Sequence, residues 1–520
     1  MKMETSNTSS SVIVKNTIIL YGRMLLMMII GFFTSRIVLQ SLGVTDYGIM
    51  NVVAGLITMF TMVSDTFSIT IGRFITYNLG KGDLQKLKII FSTSVNIQII
   101  LSVFIIILME TVGLWFLETK LVIPEERMFA ARCVYQFSIL SFVVGLISVP
   151  YNSEIISHEK MNVFAYFSLF EAFAMLLIAV LILYSPYDKL IIYSILLLLV
   201  SVIKRLFYGY YCTKHFPESK YIFILDKETM IEMSKFSGWN FLSSGAVVLR
   251  VQGTNIMLNL FFGPTMNAAK GIANQLNNLL NGFVSNFMTA MNPQITKNYA
   301  INNLEYMKKL AFQGAKFSYF IFLFCSVPIL CDTHYVLHLW LKKVPEHAVL
   351  FVQLIVIYTL LDTLSKTLRT SIYATGKIMR FQLYVTVLEL LNLPISYLFL
   401  IKGAIPEIVS VINIVMAQLC LLVMLVLASN LLGFSIKEFF KDIYLKTMFV
   451  SIVAFTPPII AEFIIPESLF RFIVICILSI IFTGASIYFI GCNNIEKEFI
   501  KLKMATLKNK ILYVNKLYKK

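Results

Sequence analysis

The chain has 520 residues, of which 58% are hydrophobic and only 14% charged, with a mean hydropathy of +0.79. Those values exclude an ordinary soluble globular domain and point to a polytopic membrane protein. The formal charge of +16 is then a matter of membrane topology, and no nucleic-acid partner is expected.

Residues 1–16 are polar, and the apolar run that follows (17–38) has bilayer length without a small-residue cleavage signature, so it reads as a retained first span. A span needs about 20 apolar residues, and about fourteen such runs succeed one another along the chain. The fold class expected is all-α, a polytopic membrane protein of two six-helix lobes with two further C-terminal helices. The second run is the least regular, because its inner end carries Asp65, Thr66, Ser68, Thr70 and Arg73. An even number of spans puts both termini on one side. Connections on that side, with the termini, hold 26 Lys and Arg, against 6 on the other. The excess of positive charge assigns the richer side, and both termini, to the cytoplasm.

This gives a domain plan: a first lobe over 1–212, a cytoplasmic amphipathic linker over 213–237, a second lobe over 238–432, two additional spans over 433–490, and a basic tail over 491–520. The tail reads as a helix on anionic headgroups. A constant offset of 220 residues supports the two lobes. It aligns Gly43 with Gly263, Thr45 with Thr265, Thr76 with Thr296, Asn78 with Asn298, Leu84 with Leu304 and Lys88 with Lys308. The offset covers an even number of spans, so the repeat is parallel, an arrangement that places a substrate site between the halves.

The most informative stretch is 236–300, two bilayer-length helices joined by FFGPT. Lys270, Asn274, Asn277, Asn278, Asn281 and Ser285 recur at helical spacing, a polar stripe suited to a wet cavity wall. Arg250 lies about thirteen residues, or roughly 20 Å, inside the preceding helix, too deep to snorkel. Asn240, Ser243, Ser244 and Thr254 lie near its face. Arg250 is therefore the central cation expected, with pairing to a carboxylate of the bundle as its structural alternative. Arg23 sits about one and a half turns inside the first span and is a second cavity cation. Arg73 and Arg36, nearer span ends, can snorkel; Arg73 is kept as an inner-face charge.

The acids bear on coupling. Glu171 and Glu389 lie in corresponding spans with no charged residue in the adjacent turns, a setting that suits either a protonated coupling group or a structural hydrogen bond. Asp65 is the third ion-coupling candidate. Asp362, Lys366 and Arg369 are spaced as one ion-paired rung. His334, His338 and His347 crowd the longest outer connection, but without a further ligand motif they read as interfacial residues. The seven cysteines show no CxxC or Cys/His spacing, so neither disulfide nor metal is expected. No GxxxxGK[ST] occurs, so no nucleotide cofactor is expected, and Na+ or H+ is left as the coupling ion.

Several stretches together resemble a known family. These are SLGVTDYGIMNVVAGL (41–56), GRFITYNLGKGDLQKLKIIFSTS (72–94), FSGWNFLSS (236–244), LRVQGTNIMLNLFFGPTMNAAKGIANQ (249–275), NFMTAMNPQITKNYA (286–300), LHLWLKKVPEHAVLFVQL (337–354) and ATGKI (374–378). The chain resembles the oligosaccharide-lipid flippase branch of the multidrug/oligosaccharidyl-lipid/polysaccharide exporter (MOP) superfamily, most specifically in NAAKGIANQ and MNPQITKNYA. The resemblance implies two six-helix lobes around a central cavity and rocking between inward- and outward-open states. It implies a transporter, not an enzyme, carrying polyprenyl-diphosphate-linked oligosaccharide for O-antigen, capsule or a related lipopolysaccharide in the bacterial inner membrane. Membrane lipids and the polysaccharide polymerase machinery are the partners implied. A cation-coupled multidrug exporter and a peptidoglycan-precursor flippase are the alternatives within the superfamily. A membrane polymerase or ligase would be expected to carry an extended outer loop, and all the outer connections here are short. For the expected cargo, Arg250, Arg23, Lys270 and Arg73 are the basic groups available to the diphosphate, and Asn274, Asn277, Asn278 and Asn281 the amides available to sugar.

Overall fold

The computed structural model describes residues 2–58, 60–121, 123–224, 226–498 and 501. Among them every regular element is helical. In chain order the long helices are α1 (Val12–Gly43), α2 (Thr45–Ile57 with Thr61–Lys81, bent by 47°), α3 (Leu84–Thr119), α4 (Glu125–Ser157), α5 (Met161–Leu183) and α6 (Lys189–His215). After them come α7 (Lys227–Phe262) and α8 (Pro264–Ala300). The series ends with α9 (Leu304–Cys331), α10 (Ala348–Thr375), α11 (Met379–Ile401), α12 (Ile408–Leu432), α13 (Ile436–Ile464) and α14 (Leu469–Gly491).

Eleven of these helices are long and apolar enough to cross a membrane, or twelve with the bent α2. The two that fall outside that set, α7 and α8, have 36 and 37 residues. Length does not disqualify them; their polar stripes do. Counting them as spans restores the fourteen expected.

The repeat is visible in backbone conformation. Gly43 and Gly263 both have positive φ, 76° and 82°, where the first and second helix of each half meet. Gly82 (φ 72°) and Asn302 (φ 59°), again 220 residues apart, both adopt the left-handed conformation that ends a helix. In each case the amide of the next residue closes back five residues, Asp83 to the Asn78 carbonyl and Asn303 to the Asn298 carbonyl. The Asp83 and Asn303 side chains then accept from Lys86 N and Tyr306 N, capping the next helix.

The chain divides into two compact units. One holds residues 1–250, 285–311 and 369–390, the other residues 251–284, 312–368 and 391–520. In the first unit the charged contacts sort by connection. Arg127, at the start of α4, bridges Asp46 of the α1–α2 connection and Asp188 of the α5–α6 connection at 2.6 and 2.5 Å. Three odd-numbered connections thus meet at one end. Burial alone would raise the Asp188 carboxyl, but Arg127 and the Ile191 and Leu190 amides hold it below the usual carboxylate range. Contacts at even-numbered connections are separate from these. Lys86 donates to Thr229 at 2.9 Å and lies 3.5 Å from Asp226, and Lys297 pairs with Glu159. Such sorting is what alternating spans require.

The second unit shows the same sorting. Arg471, at the start of α14, holds Asp332 at 2.5 Å, and His347 bonds Glu407, all on odd-numbered connections. Lys316 of α9 pairs with Glu496 at 2.6 Å, past the end of α14. Asn493 and Glu496 form a reciprocal cap, each side chain accepting from the other's amide, at 2.9 and 2.8 Å. The first turn of the basic tail is therefore docked on α9. Residues 499–500 and 502–520 lie outside the described residues.

Candidate functional site: two arginines and an amide wall

Arg23 projects from α1 in the first unit. Its Nη1 donates to Ser168 Oγ of α5 at 3.1 Å and its Nη2 to Asn286 Oδ1 of α8 at 3.0 Å. The guanidinium lies 4.6 Å from the centroid of the Phe164 ring. Ser168 and Asn286 are buried, and Nε of Arg23 is buried with no hydrogen-bond partner. All its polar partners among the described residues are neutral. A guanidinium held this way keeps its charge, and the two bonds occupy only two of its five N–H groups.

Arg250 is placed differently. It is buried on α7, and its Nε donates to Glu389 of α11, also in the first unit. The two side chains are 10% and 17% exposed, so the pair is largely shielded from solvent. The structural alternative raised for Arg250 is therefore realised, with Glu389 as the carboxylate. Glu171, the other intramembrane acid, pairs with Lys204 of α6 at 2.6 Å. Neither acid has a charged neighbour on its own helix; both acquire one from another helix, a contact that spacing along one helix does not reveal. Asp65 is exposed on α2.

Arg73 turns to backbone. Its Nε and Nη2 donate to the Tyr373 and Ala374 carbonyls, at 3.3 and 3.1 Å, closing the end of α10. Its guanidinium sits 4.6 Å from the Phe74 ring centroid and 4.9 Å from that of Tyr77. Gly376 (φ 75°) makes room for it, since a Cβ there would lie 2.7 Å from Nη2. Thr370 bonds Asn292 at 2.9 Å nearby in sequence, and Gln382 donates to Asn240.

The amide stripe falls mainly in the second unit. Asn274, Asn277 and Asn281 are partly exposed and Asn278 is exposed, while Lys270 is buried. Lys366 Nζ of α10 donates to Asn281 Oδ1 at 2.6 Å, and Asp362 accepts from Ser365. Asn277 Oδ1 is buried without a hydrogen-bond partner. The stripe thus combines a lysine, several amides and one unmet acceptor.

The histidines of the outer connection stay apart. His334 faces Glu467 at 2.9 Å, His347 bonds Glu407, and His338 is exposed.

The family model described as "Polysaccharide biosynthesis protein" matches residues 13–299, more than half of the chain. The chain belongs to the polysaccharide biosynthesis protein family. A second model, MatE, matches residues 246–398. A MATE crystal structure in the bent conformation superposes with a TM-score of 0.71 at 13% identity, covering 81% of this chain and 96% of that one. An outward-facing multidrug resistance MATE transporter of the MOP superfamily gives 0.69 at 13% identity, over 82% and 96%. A MOP-superfamily transporter from Pyrococcus furiosus, titled as having a binding pocket of reverse polarity, gives 0.64 at 11% identity, over 81% and 96%. No curated protein sequence matches the chain. The fold of this member of the polysaccharide biosynthesis family is that of the MATE transporters.

Within this family member, sequence reasoning missed Ser168, Asn286 and Lys204 as partners. Asn286 lies one position beyond Ser285 of the polar stripe, so a slightly wider stripe includes it. Lys204 stands near the end of an apolar span and has the look of a snorkelling residue; nothing in the sequence ties it to Glu171.

Proposed function

We infer that this transporter flips polyprenyl-diphosphate-linked oligosaccharide repeat units from the cytoplasmic to the outer leaflet, supplying assembly of a cell-surface polysaccharide such as O-antigen or capsule. It does so in the bacterial cytoplasmic membrane with both termini inside. The observation that carries this reading is Arg23, an intramembrane guanidinium with neutral partners and a buried, unused Nε–H. Left alone in hydrocarbon such a charge is costly; a diphosphate supplies both the counter-charge and the acceptor oxygens. Ser168 and Asn286 fix the guanidinium plane, and the remaining Nη N–H groups are the donors for a phosphate.

Arg250 is a conditional second cation. While Glu389 is ionised the guanidinium is neutralised. A proton on Glu389, or a phosphate taking its place, releases Arg250 toward the cargo. This links the coupling acid and the binding cation in one pair. The amides of α8, with Lys366, supply donors and acceptors for sugar hydroxyls. Arg73 on the α10 end and Lys297 with Glu159 are contacts of the inner ends, and loading from inside requires them to part.

The test is genetic. In the native host, deletion should cause lipid-linked oligosaccharide to accumulate, and an Arg23→Gln copy that inserts normally should fail to relieve it. Accumulation of no such lipid on deletion would count against the assignment.

A further inference from the structure

Away from the arginines, the end of α4 gathers three groups that transport does not use. Glu154 and His158 are four residues apart, so the last helical turn stacks them on one face. The chain then reverses at Glu159 (φ 59°). Glu218 arrives from the short turn Pro217–Ser219 that follows α6. His158 Nε2 is 2.7 Å from Glu218 Oε1 and 3.3 Å from Glu154 Oε1. One ligand atom from each of the three lies within 4.8 Å of the other two. The Phe216 ring stacks on the imidazole at 4.0 Å and 7°, fixing the plane in which Nε2 points.

The hydrogen bonding in this pocket does not close. An imidazole nitrogen offers one proton, and the geometry gives it to Glu218. Glu154, 0% exposed, is left with both carboxylate oxygens buried and no hydrogen bond. Glu218 is only 2% exposed. The two carboxylates are thus enclosed, while the imidazole between them is 23% exposed and leaves an edge of the pocket open to an entering ion. A divalent cation balances two carboxylates and a neutral imidazole with zero residual charge. It also supplies the partner that Glu154 lacks.

We propose that Glu154, His158 and Glu218 bind a divalent transition-metal ion of the Zn2+ class. Mixed imidazole and carboxylate donors suit that class better than Mg2+ or Ca2+, which prefer oxygen donors alone. The ion fastens the segment after α6 to the end of α4. That segment begins the linker to α7, so the site sets how firmly the start of the linker is held. It is a clip, and it takes no part in cargo binding.

The experiment uses the full-length protein in detergent, stripped with chelator and titrated with Zn2+ alone. One ion per chain is expected in the wild type. Affinity should fall by about ten- to a hundredfold in Glu154→Gln and in His158→Gln, and remain unchanged in Glu467→Gln, whose carboxylate faces His334 instead. Because a variant can fail to fold, the wild type carries its own control. Zn2+ should slow tryptic cleavage at the exposed Lys220, two residues past Glu218. No stoichiometric Zn2+ binding by the wild type overturns the proposal. So does equal binding by well-folded Glu154→Gln and His158→Gln variants, or cleavage at Lys220 that Zn2+ leaves unchanged.

Discussion

Arg23 and Arg250 are the same residue in the same unit, each well inside a helix, yet their surroundings give them opposite standing. Arg250 meets a carboxylate and is neutral as a pair. Arg23 meets a hydroxyl, an amide oxygen and a ring, and keeps its charge. Depth along a helix, which ranked Arg250 first, measures the cost of exposing a charge to lipid. It does not say whether the charge is already spent. Affinity for a diphosphate follows from the second property, so Arg23 is the standing anion site and Arg250 the gated one.

The contrast can be broken most forcefully at the pair. Arg250→Ala leaves the partly buried Glu389 without its counter-charge and should cost about 2–4 kcal/mol, somewhat less than for a fully buried orphan charge. Thermal unfolding in detergent should show this as the largest loss of the set, and Arg250→Ala with Glu389→Ala should recover most of it. A single variant as stable as wild type would mean the pair is not shielded as described.

Glu389→Gln tests the gate from the other side. It mimics the neutral acid and frees Arg250, so affinity for a polyprenyl diphosphate should rise by about 0.5–1.5 kcal/mol. Unchanged or weaker binding would take Arg250 out of the site. Arg23→Lys keeps the charge and loses the planar fork that Ser168 and Asn286 hold. Flipping in proteoliposomes should fall by roughly three- to tenfold, about 1 kcal/mol, and wild-type rates would show that charge alone suffices there.

The amide wall should give smaller and more selective effects. Asn277→Leu and Asn281→Leu should each weaken binding of the sugar-bearing lipid by about 1 kcal/mol and leave the sugar-free diphosphate untouched. Equal losses on both ligands would move the amides from the sugar to the phosphate. Asp65→Asn, at an exposed position, should alter stability by no more than about 0.5 kcal/mol. Transport that loses its ion dependence in this variant would instead make Asp65 the coupling acid.

Much of the fold was legible because its signals are local. Span length, Lys/Arg bias and helix-ending residues are each read within a few residues. The offset of 220 aligned Gly43 with Gly263, which share a positive φ; the paired left-handed ends at Gly82 and Asn302 follow the same offset but are visible only in the backbone. The polar stripes of α7 and α8 are also what separates these helices from the more apolar spans.

The site was legible in its residue types but not in its pairings. Lys204 with Glu171, Arg250 with Glu389 and Arg23 with Asn286 join positions 33, 139 and 263 residues apart. No spacing rule reaches that far. The same holds for Glu218 and His158, 60 residues apart. The Glu154-x-x-x-His158 spacing on α4 is present in the sequence, but two ligands at helical spacing do not make a site without the distant Glu218.

The central claim is that Arg23 is the standing anion site, and direct binding tests it. Purified wild-type protein and Arg23→Gln are titrated with undecaprenyl diphosphate lacking sugar and followed by native mass spectrometry. Loss of one charge-assisted contact predicts a fall in affinity of about 1.5–3 kcal/mol, or roughly ten- to a hundredfold, with little change in thermal stability. Equal affinity in the two proteins would contradict the account.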